Sequence, residues 1–336
     1  MLRQQGGRGK PGQGLFGLIL LATLLLSGCA LSTPSPDEYA ARSAPTRVIP
    51  ADFSSRSLSL QPVFTLHGSE EVHNRIGTVE ASREQGMVEV RVNPERPTLY
   101  TAEKGFTTTR GAYRNQIYRL HFSRTPFSLI PFHLTAGRHP GLLVIITSNP
   151  AGRPLLVTTV HTCGCYVAQT PTAWLDPASY PDNWPQEYLP VYGERLPARL
   201  EQARADQALE IVIRPEIHRV MALRLVSREK LIALQPIRAA LQPLAALRAL
   251  PLGDGEFTSF YYRNWPLGGH VRGAVRWWEM LLLSLPSLDL LVGMDKDFGD
   301  TAPSSNPFYT SLKPWNRSAS DLNDFPGFLR FMGWKL

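Results

Sequence analysis

The sequence predicts an α+β protein: an antiparallel β-rich sandwich or barrel-like N-terminal part, followed by a helical, Trp-rich C-terminal part. Three observations carry this. Between residues 61 and 161, short segments rich in Val, Ile, Tyr, Thr and Phe recur between Gly, Pro and Asn punctuation. Met87-Val-Glu-Val-Arg-Val alternates apolar and polar residues, as a half-buried strand does. All seven tryptophans lie after residue 171, from Trp174 to Trp334.

The expected organisation is residues 1–28 as a signal segment, 29–57 as a flexible tether, 58–170 as the β-rich part, and 171–336 as a mixed helical and strand region packed on it. Residues 30–57 are Ser, Thr, Pro and Ala with scattered charges, a composition that buries too little to offset its ordering entropy. Strands are expected at Gln61–His67, Arg75–Ala81, Met87–Asn93, Gln116–Phe122, Leu142–Thr147 and Leu155–His161. The last two flank a hairpin loop, Asn149-Pro-Ala-Gly-Arg-Pro154. Beyond residue 171, Ala198–Gln207 reads as helix, and Leu209–Ile213 and Arg219–Val226 as strands. Arg228–Leu250 reads as short helices broken by Pro236 and Pro243, and Val271–Leu285 as a helix running into Pro286.

Residues 1–28 carry the address. Arg3, Arg8 and Lys10 precede the twelve-residue apolar run Leu15–Leu26, which is shorter than the ~20 residues a spanning helix needs and suits the apolar core of a secretory signal. Leu26-Ser27-Gly28-Cys29 resembles the lipobox of bacterial lipoproteins. The resemblance implies cleavage before Cys29, a diacylglycerol on its sulfur and acylation of the new amino terminus. Ala30 in place of an aspartate implies the periplasmic leaflet of the outer membrane of a Gram-negative cell. The membrane is then a partner through the lipid. Removing the signal takes three basic residues with it, so the net charge falls from +7 to +4; this, with a periplasmic address, argues against a nucleic-acid partner.

Two cysteines remain in the mature chain, in His161-Thr162-Cys163-Gly164-Cys165-Tyr166. In a regular strand, His161, Cys163 and Cys165 share a face, with the two Cβ atoms roughly 6–7 Å apart; this forbids a disulfide and suits a soft metal such as copper or zinc. A bend at Gly164 instead permits a Cys163–Cys165 disulfide, structural or redox-active. Both geometries stay open at this level.

Other constellations are weaker. His133, Arg138 and His139 suggest an anion-binding turn. Asp295, Asp297 and Asp300 suggest a cation-binding loop, without the EF-hand spacing. Phe325, Phe328, Phe331 and Trp334 recur every three residues; they either dock on the core or offer an interface to an envelope protein. Trp277-Trp278-Glu279-Met280 reads as core or as a membrane-interface helix. Gly12-x-Gly14-x-x-Gly17 matches a dinucleotide fingerprint but follows no strand, so it carries no such function. The sequence contains no Gly-x-Ser-x-Gly, His-Glu-x-x-His or Walker A motif. The expectation is a lipid-anchored envelope protein with a binding or scaffolding role, without assigned catalytic residues. A metal or redox protein built on His161, Cys163 and Cys165 comes second, and a hydrolase with a dispersed site around His133 and His139 third.

Overall fold

The computed structural model describes residues 34–57, 59–253, 255–298 and 313–336. Cys29 and Asp300 lie outside them. Helix α1 (Pro36–Arg42) opens the described chain and is closed by a reciprocal capping box between Ser35 and Glu38. The strands follow in order: β1 (Thr46–Pro50), β2 (Pro62–Leu66), β3 (Thr78–Glu84), β4 (Met87–Asn93), β5 (Thr98–Thr108), β6 (Gly111–His121), β7 (Arg124–Thr125), β8 (Gly137–Arg138), β9 (Gly141–Ser148), β10 (Pro154–His161), β11 (Val167–Pro171), β12 (Tyr188–Val191), β13 (Glu194–Pro197), β14 (Gln207–Ile213) and β15 (Val220–Ser227). Helix α2 (Arg228–Ala233) leads to β16 (Ile237–Pro243), and β17 (Leu250–Gly253) and β18 (Glu256–Thr258) form a hairpin. Helices α3 (Trp277–Ser287) and α4 (Phe325–Phe331) complete the described set.

Ten strands join one curled sheet in the order β11-β10-β9-β6-β5-β16-β1-β2-β14-β15. Its hinge is β16. Residues 237–239 pair in parallel with β1, and residues 240–243 pair in parallel with β5. The strands on either side of β16 therefore fold over one another as the two halves of a sandwich. Neighbouring strands are mostly antiparallel, but β16–β1, β16–β5 and β2–β14 are parallel. The fold is mostly β with a short helical C-terminal region, as the composition predicts; the sheet is mixed because its central strand arrives from far along the chain.

Strands β9 and β10, with the start of β5 and the end of β6 beside them, are buried on both faces. Leu142, Val144 and Ile146 face the other half of the sandwich, with Phe64, Leu66, Leu209 and Ile211. Leu143 and Ile145 face the opposite way, onto a cover made by Val79, Val90 and Val92 of the β3–β4 hairpin and by Phe260, Phe298, Phe325, Phe328 and Trp334 of the C-terminal region. Double burial is why β9 reads Gly-Leu-Leu-Val-Ile-Ile-Thr-Ser without polar alternation.

Three sequence expectations are corrected. The tether 29–57 is not wholly a tether: residues 46–50 form an interior strand between β16 and β2, with Val48 and Ile49 buried. Two β-branched residues suffice there because both flanks supply partners. Ala198–Gln207 is not a helix, and β14 begins at its last residue. Within 228–250 only Arg228–Ala233 and a 3-10 turn at Leu244–Arg248 are helical; Ile237–Pro243 is the joint strand, its backbone donors and acceptors taken up by two neighbours.

Phe64 is fully buried between the halves of the sandwich, whereas Met87 is 71% exposed. Phe64→Ala is expected to lower unfolding free energy by about 3–5 kcal/mol, and Met87→Ala by no more than about 0.5 kcal/mol, both read as denaturant midpoints at unchanged slope.

Candidate functional site

The turn after β10 decides the cysteine chemistry. Gly164 has φ +79°, a left-handed conformation that glycine adopts without strain, and its N–H donates to the His161 carbonyl at 2.7 Å. The backbone doubles back, and Cys163 and Cys165 form a disulfide with Cα atoms 5.5 Å apart. The Cys165 N–H points at Cys163 Sγ, 3.4 Å away. Cys163 is buried and Cys165 only partly so, which makes Cys165 the more exposed residue of the pair.

The bend also removes His161 from the pair. Its Nε2 donates to the His218 carbonyl at 3.0 Å, and its ring packs against Tyr166 at 5.0 Å. The extended geometry that would align His161, Cys163 and Cys165 as three ligands is not adopted, because hydrogen bonding across the turn fixes His161 elsewhere.

A residue the sequence reading does not assign takes that place. Glu279, on α3, brings a carboxylate oxygen to within 4.8 Å of both sulfurs. It is 1% exposed, and its Oε2 is buried with no hydrogen-bond partner. Burial raises its pKa to about 7, with Asp295 adding to the rise against Arg276 and Lys296. Room for the carboxylate comes from Gly293, with φ +81°, where a Cβ would lie 2.0 Å from Glu279 Oε2. The signals present in the sequence were an acidic residue within an apolar Trp-Trp-Glu-Met-Leu run and a glycine fourteen positions later; nothing local pairs them with the cysteines.

Charged residues surround the turn. Asp295 accepts from Thr162 Oγ1 and pairs with Arg276 Nη2, all buried. Lys296 Nζ donates to the carbonyls of Met294 at 2.7 Å and Cys163 at 3.2 Å. Burial lowers its pKa to about 8, although Asp295, Asp289 and Glu279 oppose this. Arg119 Nη1 donates to the Lys296 carbonyl at 2.9 Å, and Arg119 Nε to His121 Nε2 at 2.8 Å. His121, buried beside Arg119, is held neutral, its pKa well below the usual range by desolvation and then by that charge. Tyr192, at the tip of the β12–β13 hairpin, packs on Tyr166 at 5.7 Å and is half-exposed.

The remaining sequence candidates do not converge on a site. His133 Nδ1 donates to the Pro126 carbonyl at 2.9 Å, Arg138 pairs with Glu89 at 2.9 Å, and His139 Nδ1 donates to the Arg272 carbonyl at 3.0 Å. His139 is held to a pKa of about 4, chiefly by burial. Asp295 and Asp297 do not share a cation loop: Asp295 pairs with Arg276 and Asp297 with Arg248 at 2.8 Å. Of the aromatic stripe, Phe325, Phe328 and Trp334 are buried and Phe331 is 36% exposed. The Trp334 indole N–H donates to Gln169 Oε1 at 2.7 Å, and its ring packs on Trp184 and Tyr180. The tail is docked on the protein's own core.

No family, no curated protein and no solved structure matches this chain. The site is therefore read on its own chemistry. It is a half-buried disulfide backed by a protonatable carboxyl and flanked by buried cations.

A raised carboxyl pKa has a stability signature. Unfolded, Glu279 ionises near the ordinary carboxylate value of 4.5; folded, at about 7. The folded state therefore binds the extra proton between these values, and this contribution to stability is lost as pH rises through about 7. Relative to wild type, Glu279→Gln is expected to gain stability across that window, reaching on the order of 3 kcal/mol above pH 7, measured by denaturant unfolding at pH 4.5, 6 and 8.

Proposed function

We propose that the protein is a lipid-anchored dithiol–disulfide exchange protein of the bacterial envelope, working through Cys163 and Cys165 with Glu279 as proton donor and acceptor. The observation that carries this reading is the unpartnered Glu279 carboxylate within 4.8 Å of both sulfurs. A structural disulfide has no need of a buried ionisable group beside it. Exchange does, since a thiolate must be made or protonated at each step. A pKa of about 7 suits transfer in either direction near neutral pH.

The exchange runs as follows. A thiolate of a substrate dithiol attacks Cys165 Sγ, the sulfur of the more exposed residue. The Cys163–Cys165 bond breaks, and Cys163 Sγ leaves with the electron pair and takes the Glu279 proton. The second substrate thiolate then attacks its own sulfur in the mixed disulfide, releasing Cys165 Sγ. The two protons lost by the substrate go to Cys165 and back to Glu279. The substrate is oxidised by two electrons and the protein reduced to a dithiol; a partner disulfide reverses the sequence. The Cys165 N–H directed at Cys163 Sγ and the Lys296 ammonium bound to the Cys163 carbonyl favour the departing thiolate.

The anchor belongs to the same proposal. Lipidation at Cys29 would hold the domain on the periplasmic face of the outer membrane, an oxidising compartment in which such a pair is useful. Cys29→Ala is expected to release the protein from the membrane fraction.

A second reading has its own support: once reduced, Cys163, Cys165 and Glu279 form a soft three-donor set for zinc or Cu(I). One experiment separates the two. The full chain is purified, and thiols are counted in denaturant before and after equilibration with dithiothreitol, alongside metal analysis. Exchange predicts that reduction of the folded protein exposes a Cys163/Cys165 pair without metal. It also predicts that Glu279→Gln slows reduction at pH 7 by at least about tenfold while the disulfide still forms. A pair that resists dithiothreitol until the protein unfolds, or one that is already reduced and carries about one metal per chain, would sink the exchange reading.

A further inference from the structure

Helix α3 carries Glu279 on its buried face and a second feature on its outer face. Trp277, Leu281, Leu285 and Leu288 follow one another at spacings of four, four and three residues, so they line one side of the helix. They are 69–81% exposed. Beside them, the loop after β7 presents Leu129 and Ile130, with Ile130 91% exposed. Loop and helix are joined: the Phe127 and Phe132 rings pack on Trp278 at 6.2 and 5.5 Å, and Arg276 Nη1 donates to the Thr135 carbonyl. Arg124 lines the open groove between them. An apolar surface of this kind is not left bare in water without a partner.

The position of Pro34, close in sequence to Cys29, identifies that partner. The Pro34 carbonyl accepts from Arg214 Nη1 at 3.0 Å, in the turn between β14 and β15. His218, in the same turn, stacks on Phe122 at 3.9 Å and accepts from His161 through its carbonyl. Phe122 leads into the apolar loop, and His161 into the Cys163–Cys165 turn. Pro34, the disulfide and the apolar surface therefore sit at one end of the sandwich. Pro34 lies only five positions after Cys29, and an extended chain of that length reaches at most ~18 Å. Lipid on Cys29 would thus hold this end, and not the opposite one, against the bilayer.

We infer that the outer face of α3 and the loop bearing Leu129 and Ile130 form a membrane-interface surface that seats this end of the protein in the headgroup region. This rests on the proposed anchor for its orientation. A tryptophan at the polar boundary, leucine and isoleucine side chains below it and arginine at the rim match what such a surface requires. Seating would place the half-buried disulfide close to the membrane plane, within reach of substrates held there.

The test uses the full-length chain purified from membranes and reconstituted into phosphatidylethanolamine/phosphatidylglycerol vesicles doped with brominated phosphatidylcholine, which quenches tryptophan only on contact. Wild type is expected to be quenched, with loss of most of the effect in Trp277→Phe. Trp174→Phe is expected to change nothing, because Trp174 lies by Arg153 at the far end of the sandwich. Ile130→Glu combined with Leu285→Glu is expected to abolish quenching while leaving unfolding unchanged, since both side chains are exposed. The mass of the Cys29 peptide reports the anchor separately. Quenching without lipid on Cys29 would support the surface and sink the anchor; absence of quenching would overturn the surface whether or not Cys29 is lipidated. Concentration-dependent dimerisation abolished by the same two substitutions, with no quenching, would assign the face to a second copy and overturn the proposal.

Discussion

The architecture depends on the double-sided burial of β9 and β10. Leu142, Val144, Ile146 and Val157 need one apolar partner layer, and Leu143, Ile145 and Val160 need another. The first is supplied by β1, β2, β14 and β15, which reach it only because β16 passes from one half of the sheet to the other. The second is supplied by the β3–β4 hairpin and by the C-terminal region, which buries its aromatic residues over the face that β9 and β10 leave open. Covering that face brings Asp295, Lys296 and α3 onto the end of β10, where the cysteine turn lies. The site is thus a consequence of completing the core.

Polar groups are buried at this junction in numbers that a core alone would not favour. Arg119, Arg276, Asp295 and Lys296 find partners in one another, in Thr162 and in main-chain carbonyls. Glu279 Oε2, like Arg119 Nη2 and Arg276 Nε, is buried without a hydrogen-bond partner. Beside the half-buried disulfide, an unsatisfied carboxyl fits the proposed proton relay, since its burial costs stability whenever it ionises. The same helix turns its apolar side outward, so the proposed chemistry and the proposed membrane contact share one element.

Much of the fold was legible in the residues. Met87–Asn93 is a strand with the bounds its alternation predicts, and Leu142–Thr147 and Leu155–His161 are the cores of β9 and β10. What escaped were elements whose identity is set by neighbours. Thr98–Thr108 has Glu103, Lys104 and Gly105 in its middle and is not among the expected strands, yet it pairs along its length with β6. Ile237–Pro243, flanked by helix formers and two prolines, is a strand because β1 and β5 both offer edges to it.

The sequence by itself determined the β-rich class, the lipoprotein-like start and the two possible geometries of Cys163-Gly164-Cys165. These rest on local properties: alternation, composition and the freedom of one glycine. Tertiary structure decided between the geometries, turned His161 away and brought in Glu279, 114 positions beyond Cys165. The reason is physical. A carboxylate's pKa and its distance from a sulfur depend on what excludes water around them, and that is fixed by chain segments far apart in sequence that meet only when the second face of the sheet is covered.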